Sequence, residues 1–277
     1  LYGGVDGFSM ILLPVEAVIP AMTPAASPVR GDKGPRMHTR DSKSRVSRQE
    51  FFADVQDGIS NLPVYFLMIF FSALVAAIGL LRGDTAIIIG AMVIAPLLMP
   101  NIALSVAVTL GDLGLLRRSL AVLGAGLLFT VLLSIAMGVL VPVDPAGFAI
   151  AARTEISVVD IVLALASGSA GALAFTSSLS GTLIGVMVAV ALMPPLVVFG
   201  LLLGAGHGGL AWRALLLVVT NITCVNLASV VTFYVQGIRP RTWWEEKRAQ
   251  RSSRWALITW GSLLAVLVIA ILLSKKT

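Results

Sequence analysis

Seven stretches of about twenty mostly apolar residues run through this chain, and that is the length a helix needs to cross a bilayer. They cover 62–81, 85–110, 115–141, 158–175, 182–204, 211–235 and 255–273. Inside hydrocarbon the backbone has no water to bond to, so each stretch has to satisfy its own N–H and C=O groups as a helix. Composition points the same way. Of 277 residues, 57% are hydrophobic and 12% charged, and the mean hydropathy is +0.96. Soluble domains carry roughly 25% charged residues. The sequence predicts an all-α polytopic membrane bundle whose main partner is the lipid bilayer.

The net charge of +6 and the pI near 10.0 could point to nucleic acid. The basic residues, however, flank the hydrophobic spans, where they control topology, so no nucleic-acid partner is expected. With the N-terminal flank inside, 15 of the 20 basic residues fall on the inner side. They come from 30–48, from Arg117 and Arg118, and from 239–254; Arg82, Arg153, Arg213, Lys275 and Lys276 fall outside. The positive-inside rule favours a cytoplasmic N-terminal flank. Cys224 is the only cysteine, and His38 and His207 are the only histidines, so no metal site is expected. There is no phosphate loop, no nucleophile–base pair and no cofactor motif. An enzyme is not expected.

Residues 1–20 read as the C-terminal end of a truncated soluble domain, and 21–46, rich in Pro, Ser, Gly and basic residues, as a flexible linker. Ser47-Arg48-Gln49-Glu50 has capping-box spacing, and Phe51, Phe52, Val55 and Ile59 follow on one face. That predicts an amphipathic interfacial helix over 47–59. Residues 60–141 and 155–236 then form two membrane units. A basic cytoplasmic loop over 237–254 and a final span within 255–277 complete the chain.

The two units are copies. At a fixed offset of 95 positions, 11 of 32 residues are identical between 89–120 and 184–215. Leu, Ile and Val matches are cheap in apolar spans. Gly90/Gly185, Pro100/Pro195, Gly111/Gly206, Gly114/Gly209 and Arg118/Arg213 are harder to produce by chance. Three spans per unit make the second copy start from the opposite side, giving an inverted repeat with its interface near mid-membrane. If 85–110 and 182–204 were re-entrant, the units would be parallel and Arg117 and Arg118 would lie outside, which the charge count disfavours.

The chemistry-bearing residues cluster in the middle spans. Pro96, Pro100 and Asn101 are expected to interrupt the second span, and Pro194 and Pro195 the fifth. Proline removes a helical hydrogen bond, and interrupted spans at matched positions point to a solute or ion site. The alternative is a pair of structural kinks. Asn221 and Asn226, with Thr220 and Thr223, make the sixth span polar, either as interhelical glue or as a cavity lining. Asp160, near the start of the fourth span, is either an ion ligand or proton carrier or a residue facing headgroups. Asp84 and Asp112 read as surface partners of Arg82 and Arg117. The small residues of 167–172 permit close helix contact, within the chain or in a homo-oligomer, with an ion lining as the alternative.

Ile88-Ile-Gly-Ala-Met-Val-Ile-Ala-Pro-Leu-Leu-Met-Pro100, the small-residue run 168–174, the stretch 188–195 and Thr220-Asn-Ile-Thr-Cys-Val-Asn-Leu-Ala228 resemble a bacterial and archaeal family of hydrophobic membrane proteins. It is catalogued as domain of unknown function 389. The resemblance covers about 47–240. It implies a prokaryotic cytoplasmic (inner) membrane location and, in some members, a soluble domain ahead of the spans. Met99 stands where many members have a second glycine. The family brings no activity. The leading expectation is a secondary transporter or channel for a small solute or ion. The competing one is a non-transporting sensor or scaffold with a ligand-binding N-terminal domain.

Overall fold

The computed structural model describes residues 61–176 and 181–238, with 258, 260–262 and 264–266 beyond them; of 181–191 only the backbone is described. The expected segments 1–20, 21–46 and 47–59, and most of 237–254 and 255–277, lie outside the described residues. No strand occurs among the described residues.

The first helix, α1 (Leu62–Arg82), has Pro63 in its first turn, where a missing N–H costs nothing. It stops at Gly83, whose φ of 66° closes the C-terminus with bonds to the Gly79 and Leu80 carbonyls. Asp84 then starts α2 (Thr85–Ile94) by accepting from the Ala86 and Ile87 N–H groups at 2.9 and 3.3 Å. The same device recurs after α3 (Leu98–Leu110). Gly111, at φ 71°, ends α3, and Asp112 starts α4 (Leu113–Leu140) through the Gly114 and Leu115 N–H groups at 2.9 and 3.0 Å. Asp84 and Asp112, read above as partners of Arg82 and Arg117, are therefore N-caps, each worth about 1 kcal/mol. Their carboxylates accept from the N–H groups two and three residues on.

A short helix, α5 (Phe148–Ala151), lies in the next connection and packs on α1. The Arg153 guanidinium donates back to the Ala149 carbonyl at 2.6 Å, and burial lowers its pKa from the ordinary arginine value. Three further helices follow: α6 (Val158–Thr176), α7 (Gly181–Gly204) and α8 (Gly208–Val235).

Four of these helices, α1, α4, α6 and α8, are each long and apolar enough to cross a membrane. A fifth crossing is available if α2 and α3, bent by 53° at their junction, count as one span. Large apolar side chains face outward, among them Leu67, Leu128, Val139 and Val159 at 55%, 60%, 68% and 73% exposure. Water would penalise that surface and lipid would not. The interior is built around α3, almost every residue of which is buried, with α8 and the described part of α7 against it.

Two expectations need correcting here. Pro194 and Pro195 do not interrupt the fifth span: α7 continues through both. An interior proline costs a helix about 3 kcal/mol or more. Leu192, Met193, Val197 and Val198 are wholly buried around the pair, and that packing holds the helix together where propensity alone would end it. Pro100 does not interrupt the second span either. It is the third residue of α3, in a first turn whose N–H groups have no helical acceptor, so its ring removes nothing. The break belongs to Pro96 alone.

Candidate functional site

Proline disfavours the α region for the residue before it, and Ala95 leaves α2 at φ −65°, ψ 116°. Pro96 has no N–H to give the Met92 carbonyl, so the helical ladder stops there. The Ala91 carbonyl keeps a partner: it accepts from the Ala95 N–H at 3.1 Å and from the Ser72 hydroxyl of α1 at 2.7 Å. The chain re-enters helix at Leu97, which supplies no side-chain cap. The first turn of α3 thus presents the Leu98 and Met99 N–H groups at a helix start where Leu97, Leu98, Pro100 and Asn101 are all buried. The positive end of the α3 dipole points the same way.

Beside that helix start lies a hydrogen-bonded polar cluster. Asn101, Ser105 and Thr109 occupy successive turns on one face of α3. Asn226 of α8 reaches across to them. Its Nδ2 donates to Asn101 Oδ1 at 3.0 Å and to the Ile222 carbonyl at 2.9 Å, and its Oδ1 accepts from Ser105 Oγ at 3.0 Å. Asn101 Nδ2 donates to the Leu97 carbonyl at 3.2 Å, and Thr109 Oγ1 to the Ser105 carbonyl at 2.8 Å. Asn101, Ser105 and Asn226 are each 1% exposed. Both Asn226 amide hydrogens are committed, whereas Asn101 has a second one to offer. Around the α3 start lie the first turn of a helix that no side chain caps and a carboxamide N–H. Such a set takes a hydrogen-bond acceptor, either an anion or the oxygen of a neutral solute.

The other expected site residues fall elsewhere. Pro96 is half-buried at the break, while Pro194 and Pro195 are buried inside α7. Asn221, also buried, lies five residues before Asn226, about 140° round the helix from it. Asp160 is occupied at a helix end: its carboxylate accepts from the Ser157 N–H at 2.8 Å, while Ser157 Oγ accepts from the Val159 N–H at 3.2 Å. That is the capping box of α6.

The small residues of α6 face α8. Ser229 Oγ donates to the Gly168 carbonyl at 3.1 Å, and a Cβ on Gly168 would sit 2.5 Å from the Val225 carbonyl oxygen. Of the uses offered for this small face, it is the close contact within the chain that the helix pair shows. The outer face of α6 carries Val158, Val159, Val162, Leu163 and Leu173 instead. Ser105 was not anticipated. The i, i+4 spacing of Asn101, Ser105 and Thr109 marks a polar stripe in the sequence, but nothing there names Asn226 as its partner.

The sequence profile described as "Domain of unknown function (DUF389)" matches residues 92–227, the stretch from the end of α2 to the middle of α8. The chain is 36% identical over 234 residues to the protein named "Uncharacterized protein MJ0678" of Methanocaldococcus jannaschii. That alignment covers 84% of this chain and 73% of the archaeal protein. No solved structure matches.

Proposed function

The chain belongs to the family described as domain of unknown function (DUF389), and on that premise we propose that it is a multi-pass protein of the prokaryotic cytoplasmic membrane that carries a small solute or ion through its broken span. The observation that carries this reading is the buried start of α3, which no side chain caps, beside Asn101. Broken spans whose helix starts face a ligand are how several transporter folds build a site at mid-membrane.

The architecture we propose is the inverted pair of three-span units, with the N-terminal flank cytoplasmic and a seventh span over 255–273. Helix boundaries support the repeat. Helices α4 and α8 start and stop 95 positions apart. At that offset α1 corresponds to α6, and α2 with α3 to α7, to within one residue at every end. Packing obeys the same exchange: α1 packs on α4 as α6 does on α8, and α4 on α7 as α8 does on α3. The 53° bend favours a broken crossing over a re-entrant loop, because a chain turned by that angle still advances across the membrane.

The full chain in proteoliposomes should pass at least one of chloride, phosphate and glycerol faster than empty vesicles do. The Asn101→Leu variant should lower that flux about tenfold or more. Equal rates with and without protein for all three would remove the carrier reading.

A further inference from the structure

The two units share a sequence pattern, helix ends and packing partners, yet their middle spans differ in shape: α2 and α3 meet at 53° where α7 runs unbroken. The contacts made by those middle spans differ in the same sense. Where α4 meets α7, a Cβ on Gly200 would collide with Ser134, one on Gly204 with the Ile135 carbonyl, and one on Gly138 with the Leu201 carbonyl. The unbroken span is therefore clamped against α4, backbone to backbone at Gly204 and Gly138. Where α8 meets α3, the positions equivalent to Gly200 and Gly204 are Ser105 and Thr109, and Asn226 bridges the gap by hydrogen bonds.

The unbroken span also carries the feature that favours bending. Pro194 and Pro195 deny helical donors to the Val190 and Ala191 carbonyls, and 190–192 is where the offset places the Ala95–Pro96–Leu97 break. One chain thus holds two related spans in two shapes, and each shape marks a conformation open to the other. We infer that the middle spans exchange shapes: in a second state α7 breaks at 190–192 while α2 and α3 draw into line. The inference rests on the repeat proposed above but does not require transport.

Paired spin labels test it. Ala86→Cys with Val139→Cys spans α2 to α4, and Gly181→Cys with Tyr234→Cys is the same pair displaced by 95 positions, both in a Cys224→Ala background. The ten residues on the N-terminal side of each break form a segment about 15 Å long, so a 53° turn moves the far end by about 13 Å. Each pair should show two distance populations in lipid, with the major peak of one pair at the minor peak of the other. Pro194→Ala with Pro195→Ala restores two backbone donors to α7, and should deplete the minor population of both pairs. A single population in each pair, peaks that do not cross-match, or distributions unmoved by the proline replacements would overturn the exchange. Flux with a single population would overturn the exchange alone. Matched populations without flux would remove the carrier reading and leave the exchange standing.

Discussion

Replacing Gly138 with leucine is expected to destabilise the bundle by about 3 kcal/mol or more, a large part of the 5–15 kcal/mol that holds a typical domain folded. Overpacking usually costs about 1–3 kcal/mol because neighbouring side chains can shift. At Gly138 the first atom a side chain would meet is the Leu201 carbonyl oxygen, with the Leu201 Cα and carbonyl carbon 2.9 Å away. Backbone of α7 cannot rotate aside. Helices in lipid are held by close packing rather than by exclusion of water, so a lost approach here has no other term to offset it. Unfolding in mixed detergent micelles should show the drop. Gly90→Ala, where an added Cβ meets nothing within 4 Å, should show only a small change. Equal effects at the two glycines would mean that the α4–α7 contact contributes little.

Asn226→Leu should cost about 2–3 kcal/mol. The average interhelical hydrogen bond in a membrane protein is worth only about 0.6 kcal/mol. This substitution does more than delete one bond. It removes the donor to Asn101 Oδ1 and the acceptor of Ser105 Oγ together, and strands both in a place that is 1% exposed. An orphaned buried polar group costs about 1–3 kcal/mol. The Asn101→Leu, Asn226→Leu pair should therefore lose less than the two single changes added together, since each then removes what the other stranded. Strict additivity in the double-mutant cycle would show that the two carboxamides do not depend on each other.

The helices were legible because each is long, apolar and punctuated. Gly111 and Asp112 lie between the second and third apolar stretches, and a left-handed turn followed by a side-chain cap stands there in the structure, although Asp112 reads in the sequence as a partner of Arg117. The Pro96 break was legible for the same reason, since proline acts on its immediate neighbours. The corrected readings differ in kind, some yielding to distant packing and others to a cap a few residues away. Pro194 and Pro195 look like a stop, yet the buried side chains around them carry the helix onward. Asp160 looks like an intramembrane acid until Ser157, three residues back, engages it as a cap. The bond from Asn226 to Asn101 joins residues 125 apart, and no local pattern encodes it.

That separation sets an order on assembly. In the proposed membrane setting, Asn101 and Ser105 arrive in the bilayer with α3, and their partner Asn226 follows 125 residues later on α8. At a synthesis rate of about 5–20 residues per second, the wait is roughly 6–25 s. During that interval Asn101 Oδ1 and the Ser105 hydroxyl lack the partner they have in the folded chain, which leaves α3 prone to slip out or to pair wrongly. Helix α8 thus acts as a latch on α3, and a nascent chain cut before Gly208 should be degraded faster than one carried past Val235.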